Sequence, residues 1–107
     1  MADPDDKLFE VETPLGFSVR VTKAYWKILT EQKHPILKDM QGLVEASLRD
    51  PDEIRRSRKD PAVYLFYRTL RSKRWVCAVA KSQDSKGFFI TAYVAGAIKQ
   101  GETLWSK

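Results

Sequence analysis

The side chains best able to do chemistry in this 107-residue sequence are concentrated in a basic, aromatic block between Arg55 and Arg74. The block holds eight basic residues and one acidic residue, Asp60, a local balance of +7. The whole chain carries +5, so the other 11 basic and 13 acidic residues sum to −2. The positive charge is therefore regional and predicts an anion-binding face. The eight basic residues are Arg55, Arg56, Arg58, Lys59, Arg68, Arg71, Lys73 and Arg74.

Arginines close to aromatic rings are typical of RNA-binding sites, because a guanidinium group forms bidentate hydrogen bonds with a phosphate and a flat ring stacks on an unpaired base. Strand alternation places Arg56 and Arg58 on one face and Arg68 at the end of the next strand, which makes these three the phosphate candidates. The predicted RNA-binding set also includes Arg55, Lys59, Tyr67, Arg71, Arg74 and Lys99. The structural alternative is a solvated basic edge that keeps a strand from pairing with another chain.

Proton transfer near neutral pH is most natural for His34, the one histidine of the chain. The alternative is a structural residue at a helix junction. Tyr67 and Tyr93 carry phenols that can donate a proton or stack on a base, and the Thr91 hydroxyl can bond a phosphate oxygen. Each of these three is equally an ordinary strand residue.

Composition narrows the class of protein. One cysteine and one histidine are too few for the usual zinc ligands, so we expect no metal and no cofactor. Cys77 lies in an apolar run and is predicted to be a small buried residue. The acidic first residues, without an apolar or arginine-rich leader, predict a cytoplasmic protein. The longest apolar run, GFFITAYVAGAI, is shorter than the roughly 20 residues that span a bilayer, so no membrane partner is expected.

The periodicity predicts one α+β domain over residues 1–107, in which an N-terminal hairpin and two helices pack on a four-stranded antiparallel sheet. The hairpin covers 9–13 and 17–22. Thr22 caps a first helix with Ala24, Tyr25, Ile28 and Leu29 on its apolar side, and a second helix runs from Pro35 to Asp50. The predicted strands are 54–59, 62–69, 74–81 and 87–94, followed by a short helix over 95–100.

Alternation in the last predicted strand separates two faces. Phe88, Ile90, Ala92 and Val94 form an apolar face that we expect to meet the helices. Phe89, Thr91 and Tyr93 then lie on the other side of the sheet. A sheet face that combines aromatic rings, a hydroxyl and arginine suits a nucleotide better than a core.

Several short motifs resemble the phage-associated branch of the ribonuclease superfamily that groups barnase, EndoU, the tRNase colicins and RelE. They are His34-Pro35, the DPDEI entry at 50–54, RRSRKDP at 55–61, YLFYR at 64–68, and FITAY at 89–93 before Ile98-Lys99. The resemblance covers the chain from residue 17 onward. It implies a metal-independent endoribonuclease of the toxin type, with helices packed on a four-stranded antiparallel sheet. RNA, including tRNA, would be the substrate, and an acidic antitoxin or immunity protein a further partner.

The mechanism that the resemblance implies is attack of a ribose 2′-hydroxyl on the adjacent phosphate, which leaves a 2′,3′-cyclic end. A base takes the 2′ proton, an acid protonates the leaving 5′ oxygen, and cations stabilise the phosphorane. The resemblance gives His34 the role of base or acid, assigns phosphate binding to Arg56, Arg58 and Arg68, and makes Thr91 and Tyr93 positioning groups. The predicted catalytic set is therefore His34, Arg58, Arg68, Thr91 and Tyr93.

Two other functions fit the same residues. A nucleic-acid-binding module without catalysis needs the basic face and the aromatic rings but not His34. A protein-interaction domain would bring the basic block against an acidic protein partner. The sequence alone does not separate these from the ribonuclease.

Overall fold

The computed structural model describes residues 6–98 and 101–107, which form one sheet with a helical layer on one face. The helices α1 and α2 occupy Lys23–Ile28 and Gln41–Arg49. The first runs on into a π-helical turn, Leu29–Lys33, and a 3₁₀ turn, Pro35–Asp39, precedes the second. The seven strands are β1 Lys7–Glu12, β2 Ser18–Thr22, β3 Glu53–Arg56, β4 Val63–Arg71, β5 Arg74–Gln83, β6 Lys86–Ala95 and β7 Thr103–Ser106.

The predicted four-stranded antiparallel sheet is wrong, because the described residues form a mixed sheet of seven strands in the order β1-β2-β6-β5-β4-β3-β7. Strands β3 to β6 do form the predicted antiparallel meander. The hairpin β1–β2 extends that meander through a parallel pairing of β2 with β6, and the C-terminal tail adds β7 beside β3. Each addition pairs backbone groups that an edge strand would leave open. Both pairings join segments far apart in sequence, so local periodicity gives no sign of them.

The first helix begins where predicted, since Thr22 Oγ1 accepts a hydrogen bond from the Tyr25 N–H at 3.1 Å. Its buried side differs from the prediction. Trp26 and Leu29 are buried, whereas Ile28 is exposed. The helix then widens into the π turn, in which the His34 N–H donates to the Leu29 carbonyl over 2.7 Å.

The predicted second helix is divided at Met40, where the 3₁₀ turn ends and α2 begins. Leu37, Val44 and Leu48 are fully buried, but Ile36 is exposed because the tighter turn rotates it away from the sheet. The short helix predicted over 95–100 is also wrong for its described part, since β6 extends to Ala95 and residues 96–98 are not helical. Within the described ranges, no helix is both long and apolar enough to cross a membrane.

The two faces of the sheet differ in what covers them. On one side, which we call the helix face, Phe66, Val76 and Ala78 pack against buried side chains of the helical layer. On the other side, the open face, a second buried cluster is centred on Tyr67, Cys77 and Val79 and contains no helical residue. Phe66 and Tyr67 are consecutive and both fully buried, one on each side of the sheet.

A β-bulge at Ile90 reverses the face assignment at the start of β6. Val79 is paired with Thr91 and Ala80 with Phe89, so Ile90 is an extra residue. Phe89 therefore lies in the core on the helix face, and Phe88, paired with Lys81, lies on the open face. The predicted apolar face of this strand is correct for Ala92 but wrong for Phe88 and for Ile90, which packs against the open-face cluster.

Candidate functional site

Two neighbouring rows of side chains cross the open face, set by the pairing of β3, β4, β5 and β6. Opposite residues of adjacent antiparallel strands lie side by side on one face. The first row consists of Glu53, Tyr67, Cys77 and Tyr93. The second row consists of Arg55, Leu65, Val79 and Thr91. Four residues predicted for the site, Arg55, Tyr67, Thr91 and Tyr93, thus share the open face, with Arg55 of β3 about 14 Å from Thr91 of β6.

The phenol of Tyr93 belongs to a hydrogen-bonded group with Cys77 and Tyr67. Burial raises the pKa of Tyr93 well above its ordinary value, and the interactions with Cys77 and Tyr67 raise it further. Tyr93 is therefore protonated at neutral pH and acts as a hydrogen-bond donor, not as a base. Tyr67 and Cys77 are fully buried, so the predicted stacking of a base on Tyr67 does not fit the fold as it stands.

The hydroxyl of Thr91 is the unusual group of the second row. Its Oγ1 atom is buried and has no hydrogen-bond partner within the described part of the chain. Buried hydroxyl groups are nearly always paired, because desolvating an unpaired one costs roughly 1–3 kcal/mol. A ligand that displaced the side chains covering this atom and supplied the missing hydrogen bond would remove that cost.

Arg55 lies in the same row as Thr91 and is held by two contacts. Its Nη2 lies 3.2 Å from Glu53 Oε1, and its Nη1 donates to the Gly101 carbonyl over 3.3 Å. The side chain is 22% exposed, so the guanidinium is positioned and partly desolvated. This arginine was predicted to contact RNA, and the fold places it on the open face.

Arg56 and Arg68, two of the three phosphate candidates, belong to the helix face. Arg56 Nη1 donates to the Pro61 carbonyl over 2.7 Å, and its Nε lies 3.3 Å from Glu102 Oε2. Arg68 Nη1 donates to the carbonyl of Asp50 over 2.6 Å and lies 3.1 Å from Asp50 Oδ2. Lys107 and Arg68 together hold the pKa of Asp50 below its ordinary value. Both arginines are thus paired with carboxylates away from Thr91 and Tyr93.

The remaining basic residues are divided between the two ends of β4. Strand β3 ends at Arg56, so Arg58 and Lys59 lie in the turn that precedes Val63, and the strand alternation assumed for them does not apply. Arg71 and Arg74 flank the β4–β5 turn at the other end. Val63 and Arg71 are the two ends of this nine-residue strand and lie about 27 Å apart. Lys99 lies outside the described residues.

His34 lies in the helical layer, at the junction of the π and 3₁₀ turns, and its side chain is exposed. The nearest buried side chains before and after His34 are those of Thr30 and Leu37. Both residues belong to the helical layer, whose buried apolar side chains pack on the helix face. No described contact joins His34 to Thr91 or Tyr93. Its catalytic role stays a prediction.

Sequence reasoning missed Phe88 and Arg20. Phe88 is 52% exposed and lies opposite Arg20 of β2 and Lys81 of β5 on the open face. Arg20 and Phe88 line two adjoining hollows of about 420 and 250 Å³. No sequence signal points to this pair, because it depends on the parallel pairing and on the bulge.

Over 6–98 and 101–107, no three or more histidine, cysteine, aspartate or glutamate side chains come together as metal ligands would. Comparison with models of protein families, with curated proteins and with solved structures gave no match. The likeness to the ribonuclease superfamily therefore depends on the short motifs of the sequence.

Proposed function

We propose that the protein is a metal-independent endoribonuclease that binds single-stranded RNA on the open face of its sheet. The observation that carries the proposal is the buried, unpartnered Thr91 hydroxyl beside the Tyr93 phenol and in one row with the Arg55 guanidinium. The hydroxyl and the phenol offer two donors to the oxygens of one phosphate, and the Arg55 guanidinium, about 14 Å away across three strand spacings, offers a cation to another phosphate of the same RNA strand. An RNA substrate agrees with the cytoplasmic location that the sequence predicts.

The reaction needs few groups. The ribose 2′ oxygen forms a bond to phosphorus while its proton passes to a base, and the bond from phosphorus to the 5′ oxygen breaks as that oxygen takes a proton. Thr91 and Tyr93 donate to the oxygens of the pentacoordinate phosphorane, and Arg55, about 14 Å away on β3, balances the charge of another phosphate of the bound strand. Tyr93 does not serve as the base, because its raised pKa keeps the phenol protonated.

His34 has the ordinary chemistry of a base, but it belongs to the helical layer, whereas Thr91 lies on the opposite face of the sheet. His34→Ala therefore decides between two placements of the reaction. Loss of cleavage with wild-type fold and RNA affinity would establish His34 as the base and remove the reaction from the open face. Cleavage at the original rate would make His34 structural and transfer the role to Lys99, since Tyr67 is buried and Tyr93 stays protonated.

The first experiment incubates the purified protein in EDTA with tRNA and a defined single-stranded RNA, followed by analysis of product ends. Products with 2′,3′-cyclic phosphates are expected. Thr91→Val should lower the cleavage rate tenfold or more while the melting temperature stays the same or rises, because the variant removes a buried unpaired hydroxyl. Thr103→Val, at an exposed threonine of β7, is the matched control and should cleave normally.

Two results would contradict the proposal. The first is intact RNA after prolonged incubation with folded wild-type protein. The second is full activity in Thr91→Val, which would remove the open-face site even if the protein cleaves RNA. Normal cleavage by Thr103→Val would show that a threonine-to-valine change does not by itself impair the protein or the assay.

A non-catalytic RNA-binding module is the second candidate. It is favoured by the spread of the basic residues over both ends of β4, which fits a long polyanion better than one scissile phosphate. Intact RNA with salt-sensitive binding would support it, and Arg58→Ala should then flatten the dependence of affinity on salt concentration. Neither cleavage nor binding would direct the search to an acidic protein partner.

A further inference from the structure

Phe88 is an exposed aromatic residue in the interior of the sheet, on the third strand from the β1 edge. A single exposed apolar side chain is common in proteins and would by itself need no explanation. The surroundings of Phe88 are what distinguish it, because the ring is bordered by hollows and by cationic residues. Phe88, Arg20 and Lys86 lie on the open face, whereas the smaller hollow also includes Tyr25 of α1 and the core residues Val21 and Phe89.

The larger hollow, of about 420 Å³, is lined by Glu10, Ser18, Arg20, Lys86, Gly87 and Phe88. Its volume falls in the range of about 300–1,000 Å³ that is typical of small-molecule sites. The second hollow, of about 250 Å³, is lined by Arg20, Val21, Thr22, Tyr25, Phe88 and Phe89. Arg20 and Phe88 are shared walls, so both side chains stand between two spaces that a ligand can enter.

The larger hollow is lined mostly by residues of the short β2–β6 ladder, and the smaller one by residues at and beyond the end of that ladder. The parallel pairing of β2 with β6 runs from Ser18 and Lys86 to Arg20 and Phe88 and then stops. Beyond it, the Tyr25 hydroxyl donates to the Ile90 carbonyl and so satisfies a backbone group next to the gap. The gap is thus part of the fold and does not need a ligand to open it.

The chemistry of the lining indicates its ligand. Two cationic residues, Arg20 and Lys86, are accompanied by one carboxylate, Glu10, and one hydroxyl, Ser18, which leaves a net charge of +1. An aromatic ring between cations is the arrangement that single-stranded nucleic acids require, because the base stacks on the ring while phosphates meet the cations. A carboxylate can accept a hydrogen bond from the amino group of a base.

We infer that Phe88, Arg20 and Lys86 form a nucleotide subsite in which Phe88 stacks on one unpaired base of the RNA and the two cations hold its phosphates. The inference rests on the proposed function. It adds a second binding site for the RNA, next to the phosphate that reacts. Phe88 lies opposite Lys81 and Thr91 opposite Val79, so the two are about 7 Å apart along the sheet. One RNA strand can reach both.

The experiment measures the affinity of a 2′-O-methyl oligonucleotide, which cannot be cleaved by its own 2′-hydroxyl. It compares the wild type with Phe88→Ala, with the conservative Phe88→Tyr, and with the control Ile28→Ala. Ile28 is 45% exposed but belongs to α1 in the helical layer, so the control removes a similar exposed apolar surface. We expect Phe88→Ala to bind about tenfold or more weakly, and Phe88→Tyr and Ile28→Ala to bind as the wild type does.

A second series moves one abasic nucleotide along the oligonucleotide. At one position the missing base should weaken binding to the wild type about as much as Phe88→Ala does. Phe88→Ala should bind this abasic oligonucleotide as tightly as it binds the intact one, because the ring and the base form a single interaction that the variant has already lost. A merely structural role of Phe88 would not produce that dependence on one base.

The outcomes separate the inference from the proposed function. Wild-type cleavage with equal affinities for wild type and Phe88→Ala overturns the subsite and leaves the ribonuclease intact. Base-dependent binding through Phe88 without cleavage of ordinary RNA supports the subsite and overturns the ribonuclease. No binding of any oligonucleotide by the folded wild type overturns both.

Discussion

The helix face and the open face share the same four central strands but differ in how their buried groups are satisfied. The helix face packs Phe66, Val76 and Ala78 against apolar helical side chains. The open face buries phenols and a thiol that bond one another, and it leaves the Thr91 hydroxyl unpaired and half of Phe88 exposed. Among the described residues, one face is thus satisfied by apolar packing, whereas the other keeps a buried hydroxyl without a partner and an exposed aromatic ring.

Replacing buried Phe66 should have the largest effect on stability. Phe66→Ala removes a fully buried ring from the helix face and should lower the free energy of unfolding by about 3–5 kcal/mol. Phe88→Ala is the matched control, since the same residue type is half exposed on the open face, and it should cost less than about 1 kcal/mol. Urea denaturation followed by tryptophan fluorescence measures both. Equal losses would abolish the distinction between the faces.

Gly87 tests how closely β6 approaches β2 at the border of the two hollows. A Cβ atom at this position would lie 2.8 Å from Val19 Cγ2 and 2.9 Å from the Phe17 ring. Both neighbours are buried, so Gly87→Ala should destabilise the protein by about 1–3 kcal/mol.

Gly42→Ala is the control for Gly87→Ala. A Cβ atom at Gly42 meets nothing within 4 Å, and the residue lies in α2, where alanine is favoured by about 0.5–1 kcal/mol. The two variants should therefore change thermal stability in opposite directions. A Gly87→Ala protein as stable as the wild type would show that β2 and β6 are less closely packed than described.

Alkaline pH should weaken the open face through Tyr93. The pKa of Tyr93 is raised in the folded protein, so its contribution to stability is complete below the unfolded value of about 10 and is lost as pH rises above it. Tyr93→Phe should cost about 1 kcal/mol at neutral pH through lost hydrogen bonds, and its stability should decline less between pH 9 and pH 11. The control is Tyr64→Phe, on the helix face. Parallel curves for wild type and Tyr93→Phe would contradict the hydrogen-bonded group.

Much of the central sheet could be predicted from the sequence, because alternation and turns are local signals. Strands β4, β5 and β6 lie close to the predicted ranges, and Thr22 caps α1 as expected. The prediction failed where distant segments pair, as β2 does with β6. It also failed where one inserted residue, Ile90, moves every earlier side chain of β6 to the opposite face.

The candidate site was predictable in part for the same physical reasons. Thr91 and Tyr93 lie on the side of the sheet away from the helices, as their spacing in β6 predicted. The basic residues that are clustered in the sequence are separated in the fold. Ion pairs hold Arg56 and Arg68 on the helix face, and because β3 ends at Arg56 the remaining basic residues lie on both faces of the sheet and at both ends of β4. Charge density along a sequence does not show which arginines a fold pairs with carboxylates. The position of Phe88 beside Arg20 had no local signal, because it depends on the parallel pairing of β2 with β6 and on the bulge at Ile90.

The smallest expected effect concerns Asp52, which joins strands at the end of the sheet and belongs to neither face. Its carboxylate accepts from the Thr69 N–H over 2.6 Å, and its carbonyl accepts from the Lys107 N–H over 3.0 Å. Burial raises the pKa of Asp52, but the hydrogen bonds from Thr69 outweigh burial and leave it below the ordinary value.

A carboxyl group with a lowered pKa contributes stability above its unfolded value of about 4, and that contribution is lost as pH falls further. Asp52→Asn should therefore be less stable than the wild type by about 0.5–1 kcal/mol at pH 7 and equally stable at pH 2.5. Asp39→Asn, at the exposed end of the 3₁₀ turn, should match the wild type at pH 7. The midpoints of urea denaturation of the three proteins, measured at both pH values, test this prediction. A deficit that persists at pH 2.5 would mean that the Asp52 side chain acts through packing, because at that pH the charged hydrogen bond to Thr69 is weakened by protonation in the wild type itself.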